Sequence, residues 1–150
     1  MLIGIPKVIG PGLLYTLACM GHGDELVLAD AFYPGHSMSR QCLRADGAEV
    51  FDILEGVMQL MNPDDYVRDP IVMMKCARGD TADPAVERRF SDIIYSRWPS
   101  APAIKKIDRF AFYERARQAF AVVLTGSTVK YGCIIVKKGV IPAEAAKPAR

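Results

Sequence analysis

Histidine is nearly missing from this chain: His22 and His36 are the only two among 150 residues. An excess of one charge is missing as well. Lys and Arg number 19 against 17 Asp and Glu, a net charge of +2. Arg88-Arg89 and Lys137-Lys138 are pairs, not patches, so no nucleic-acid partner is expected. No apolar run approaches the ~20 residues of a membrane span, and no membrane partner is expected. Residues 1–6 carry no basic leader and no continuous apolar core, so no signal peptide is expected. The four cysteines, Cys19, Cys42, Cys76 and Cys133, form no CxxC pair and show no metal-ligand spacing. Their neighbours are apolar, which predicts reduced thiols and a cytoplasmic protein. There is no P-loop, no GxGxxG and no nucleophilic serine elbow.

What is present is apolar. The hydrophobic fraction is 51% and the mean hydropathy +0.11, high enough in a small chain to suggest that subunit contacts hide part of it. The length allows one domain, residues 1–142, with a charged, alanine-rich tail at 143–150 that is expected to be exposed and flexible.

Hydrophobic spacing lays out the elements. A helix starts at Pro11 and ends before Gly21, read as a left-handed cap. Short apolar runs at 26–29, 41–45, 71–74, 120–124 and 131–136 read as strands, the last two joined as a hairpin. Helices follow at 50–61 and after Asp83-Pro84, where aspartate caps and proline lacks the orphan N–H. Asp108 can cap a further helix with Arg109 in its first turn. The helix dipole disfavours a cation there, so Arg109 reads either as a solvated surface arginine or as one placed for a ligand or a partner carboxylate. Strands alternating with helices give an α/β class: three layers, helices covering a mixed sheet.

The stretch Gly21-His22-Gly23-Asp24-Glu25, the run to Asp30, and the loop Phe32-Tyr33-Pro34-Gly35-His36-Ser37 gather both histidines around one strand. Four readings stay open. His22, Asp24, Asp30 and His36 carry metal-binding atoms, though no HxH or HExxH pair fixes two of them on one element. Glycines beside His22 could offer N–H groups to a phosphate, without a lysine in the loop. His22 could simply cap the preceding helix. An imidazole near pKa ~6.5 could also move protons without a cofactor, beside carboxylates, tyrosine and arginine suited to a neutral polyhydroxyl ligand.

Met20-Gly21-His22-Gly23-Asp24-Glu25, Ala29-Asp30-Ala31 and His36-Ser37 resemble the opening of the RbsD/FucU family of sugar mutarotases and pyranases. Arg44-Ala45-Asp46-Gly47, Gly79-Asp80-Thr81, Glu87-Arg88-Arg89, Lys130-Tyr131-Gly132 and Lys137-Lys138-Gly139-Val140 continue the likeness. Arg109-Phe110-Ala111-Phe112-Tyr113-Glu114-Arg115-Ala116 is similar to the L-fucose branch more than to the ribose branch. The resemblance implies an isomerase that interconverts the α and β anomers of L-fucose or a related aldose. It implies no cofactor and no metal. It also implies a ring-shaped homo-oligomer, commonly a decamer, with sites in clefts between subunits. His22 would be the general acid, Asp30 and Arg109 would bind the sugar, and Tyr131, Gly132 and Cys133 would line the pocket. Cys133 stands where the family usually has asparagine, a stronger hydrogen-bonding group, and Gly35 where alanine is usual. A non-catalytic monosaccharide-binding protein with the same pocket is the alternative.

Overall fold

The computed structural model describes residues 2–141. The expected tail lies outside the described residues. The elements run α1 (Pro11–Cys19), β1 (Glu25–Ala29), α2 (Gly35–Met38), β2 (Cys42–Ala45), α3 (Val50–Met58) and β3 (Ile71–Met74). They continue with α4 (Pro84–Arg97), β4 (Lys105–Ile107), α5 (Arg109–Gln118), β5 (Ala121–Thr125) and β6 (Ile134–Lys137). Six strands form one sheet in the order β2-β5-β1-β6-β3-β4.

β1 is the organising strand. All five of its residues are buried, as a strand covered on both faces requires. Alternation along it feeds two cores. Leu26 and Leu28 pack with α1, α3 and α4 through Leu17, Leu54 and Phe90. Val27 and Ala29 pack with Tyr33, Phe112 and Ala116 on the α2 and α5 side. The three-layer α/β arrangement follows from that period of two.

The expected hairpin does not form. β1 lies between β5 and β6, parallel to β5 and antiparallel to β6. The sheet is mixed because the chain crosses over the end of β1 and returns on its far side. Ala31 N–H donates to Ser127 O at 2.8 Å, tying that crossover to the end of β1. Adjacent strands in sequence usually pair. Here the segment between them is too long for a tight turn and carries its own contacts.

Smaller differences have local causes. β4, an edge strand with two exposed lysines, escaped the apolar-run criterion. α2 is a single turn in a stretch read as loop, and α3 ends at Met58 rather than Met61. Both aspartate caps are present: Asp83 accepts from Ala85 N, and Asp108 from Phe110 N and Ala111 N. The left-handed glycine after α1 is Gly23 (φ +86°) and not Gly21, whose N–H donates to Asp24 Oδ2 at 2.7 Å. The cysteines are free, but Cys19 and Cys76 are exposed and only Cys133 is buried, so their surroundings are less apolar than expected. At Gly35 a Cβ would come within 2.9 Å of Cys42 Sγ, which accounts for glycine there.

Candidate functional site

Two polar clusters sit at opposite ends of β1. At its carboxyl end stands Asp30, 6% exposed. Its Oδ1 accepts from Phe32 N at 3.0 Å and its Oδ2 from the Cys133 thiol at 3.3 Å. Burial pushes the Asp30 carboxyl above the ordinary aspartate range, against the opposing pull of its Cys133, Phe32 and Gly132 donors. Burial raises the Cys133 thiol well above its usual value, so it stays protonated and acts as a donor. The crossover that replaces the hairpin delivers Tyr131, Gly132 and Cys133 to this point. An added Cβ at Gly132 would lie 2.7 Å from Val129 O, so only glycine fits the turn.

Tyr131 has φ of +60°, uncommon for a side chain of its size. Its hydroxyl holds it there, donating to Asp80 Oδ2 at 2.7 Å and accepting from Ala77 N at 3.1 Å. Lys130 pairs with the same carboxylate. Lys130 first, then Tyr131, lower the Asp80 carboxyl to about 2. A depressed folded pKa means that this latch is fully formed above the ordinary carboxylate value near ~4 and is lost as pH falls through about 2. A carbon-13 NMR titration is expected to find the Asp80 midpoint near 2, and to find it displaced upward in Lys130→Met.

α5 supplies Arg109 at its first turn, where Asp108 takes the capping role and leaves the guanidinium free to lie 5.1 Å over the Phe110 ring. Asp30, Tyr33, Arg109, Tyr113, Tyr131 and Cys133 line a cavity of about 180 Å³. Among the described residues the buried Tyr33 hydroxyl has no hydrogen-bond partner. The cavity is smaller than the roughly 300–1,000 Å³ of self-contained ligand sites.

His22 stands at the other end of β1. Five strand residues at ~3.3 Å each put roughly 17 Å between the two clusters, so the structure brings Asp30, Arg109, Tyr131 and Cys133 together without His22. The His22 side chain is 46% exposed, and its Nε2 lies 3.2 Å from Oδ2 of Asp64, which is 3% exposed. Tyr66 meets the imidazole edge-to-face at 5.4 Å. A second, larger cleft of about 420 Å³ opens nearby between Gly23, Glu25, Val67, Asp69 and Arg115. It is occupied by ion pairs: Arg115 contacts Glu25 at 2.8 Å and Asp69 at 3.1 Å.

Within one chain the four residues of the metal reading do not come together. His22 and Asp24 precede β1, while Asp30 and the exposed His36 on α2 follow it. Among the described residues no group of three His, Cys, Asp or Glu converges as a metal site. Asp64 and Asp80 are the site neighbours that sequence reasoning missed. Asp64 lies outside every motif quoted above and Asp80 only within the Gly79-Asp80-Thr81 likeness, without a role, and nothing local signals their long-range partners.

The sequence profile of the RbsD / FucU transport protein family matches residues 3–141. An L-fucose mutarotase from Histophilus somni is 50% identical over 144 residues, 96% of this chain and all of that one. Another from Actinobacillus pleuropneumoniae is 51% identical over the same share. A crystal structure of the fucose mutarotase from Streptococcus pneumoniae, in complex with L-fucose, superposes with a TM-score of 0.89 at 41% identity. It covers 94% of this chain and 100% of that one. With a shared profile along nearly the whole chain, half of all positions identical to full-length relatives and a closely superposing fold, the chain belongs to the RbsD/FucU family.

Proposed function

We propose that this protein is a cofactor-free mutarotase that interconverts the α and β anomers of L-fucose or a closely related aldose. The observation that carries the reading is the convergence of Asp30, Arg109, Tyr131 and Cys133 on one small cavity. The 50% identity to L-fucose mutarotases supports the sugar.

Mutarotation requires a proton at the ring oxygen while the anomeric hydroxyl loses one. The C1–O5 bond breaks, the aldehyde turns about C1–C2, and the ring closes on its other face. His22 is the proton donor to the ring oxygen. Asp30, Tyr131 or a water takes the hydroxyl proton. Arg109 donates in a fork to adjacent hydroxyls, and Tyr131, Gly132 and Cys133 close the pocket. Positioned proton transfer of this kind is worth about 10²–10⁴-fold.

The site is shared between copies: His22 of one protomer completes the Asp30 cavity of another. Exposed aromatics flank both halves, Tyr66 beside His22 and Phe32 and Phe110 beside Asp30 and Arg109. A contact in which two different surfaces meet is head-to-tail, and such contacts close into rings when the rotation between copies is a whole fraction of a turn. The assembly is a ring-shaped homo-oligomer, ten copies in the form the family resemblance implies, built from one domain over residues 1–142. The free thiols fit a cytoplasmic location. Among the described residues no helix is long and apolar enough to cross a membrane.

Exchange NMR on L-fucose tests the activity. Accelerated α/β exchange is expected, and binding without acceleration would favour the non-catalytic sugar-binding alternative. Sharing has its own test. His22→Ala and Arg109→Ala, each inactive alone, are expected to recover about a quarter of wild-type exchange when co-assembled at random in equal amounts. No recovery in mixed assemblies would refute a shared site.

A further inference from the structure

We propose that Asp64 is the positioning residue of His22. Its buried carboxylate holds the Nε2 proton, so that Nδ1 is the nitrogen presented to the sugar. The kinetic consequence rests on the mutarotase reading; the tautomer rests on geometry alone.

Asp64 is anchored on every side. Its Oδ1 accepts from Tyr66 N at 3.0 Å, its own N–H donates to Lys137 O at 2.9 Å, and its Oδ2 faces His22 Nε2 at 3.2 Å. With its side chain 3% exposed it is set to touch the imidazole rather than a ligand. An ionised carboxylate only accepts hydrogen bonds, so a neutral imidazole beside it carries its single proton on Nε2. The Tyr66 ring, at 79° to the imidazole, limits rotation.

The other charged groups around His22 are turned elsewhere. Asp24 accepts from Gly21 N. The Lys138 ammonium donates to Leu17 O and Met20 O. Lys137 donates to Gly23 O and pairs with Glu25, which Arg115 also holds. Among the described residues Asp64 is the carboxylate within ion-pair reach of His22.

The proton balance is simple. The imidazolium gives its Nδ1 proton to the ring oxygen as the C1–O5 electron pair moves onto that oxygen. The anomeric hydroxyl proton passes to Asp30 or water, and its electrons form the carbonyl. His22 is left neutral with Nε2–H still held by Asp64. Closure on the other face returns the proton to Nδ1.

Nitrogen-15 NMR of the full chain labelled at histidine tests the assignment, with His36→Gln to identify the second ring. Neutral His22 is expected as the Nε2–H tautomer. Asp64→Asn keeps an Oδ1 acceptor for Tyr66 N but offers an amide donor to Nε2. It is expected to move neutral His22 to Nδ1–H and cut L-fucose exchange about 10- to 100-fold with sugar affinity unchanged. A wild-type Nδ1–H tautomer overturns the proposal whatever the variant does. A folded Asp64→Asn protein whose His22 tautomer is unchanged overturns it as well. A wild-type protein with the Nε2–H tautomer but no accelerated exchange supports the pairing and overturns the mutarotase reading instead.

Discussion

His22→Ala is expected to slow anomer exchange of L-fucose by at least about 10²-fold while leaving the fold intact. If His22 is the general acid proposed above, its loss removes the whole proton-transfer contribution at the ring oxygen. Little else depends on this side chain. It is 46% exposed, follows α1 in a turn, and makes one contact to Asp64 and one aromatic edge contact to Tyr66. Water can replace an exposed imidazole beside Asp64, so the change in unfolding free energy is expected within about 1 kcal/mol. Exchange NMR and a denaturant melt on the same sample separate the two effects. An unchanged exchange rate would remove His22 from the reaction.

Arg115→Ala is expected to have the largest effect on stability, about 3 kcal/mol in a urea melt. Arg115 holds Glu25 through Nε and Nη2, and Asp69 through Nη1, and it donates to Asp69 O at 2.7 Å. Removing the guanidinium strands the Glu25 carboxylate, 10% exposed, with Lys137 as its remaining cation. It also unties α5 from the segment before β3. Burial alone would raise the Asp69 carboxyl, but Lys105 and Arg115 more than offset it and hold it below the ordinary range. That part of the stability is present above the unfolded value near ~4 and lost as pH falls through the lower folded value. The gap between wild type and Arg115→Ala is therefore expected to narrow below about pH 4. A variant as stable as wild type at neutral pH would mean that the network is surface decoration.

Much of the fold was readable because its signals are local. The runs at 26–29 and 71–74 read as buried strands, and Asp83-Pro84 and Asp108 as helix starts, since caps and apolar runs act within a few residues. The site was half readable for the same reason. Asp30 at the carboxyl end of β1 and Arg109 in the first turn of α5 stood out by position.

The sequence by itself determined most of the element types, the polar ends of β1 and which residues there carry groups able to exchange a proton. Tertiary structure alone decided which of them meet. The crossover past β1 put Tyr131 and Cys133 beside Asp30, the segment after α3 put Asp64 against His22, and the length of β1 kept His22 out of the cavity. Those contacts join residues far apart in the chain, and no short-range preference encodes them. They are fixed by strand order and burial, which only the packed sheet supplies.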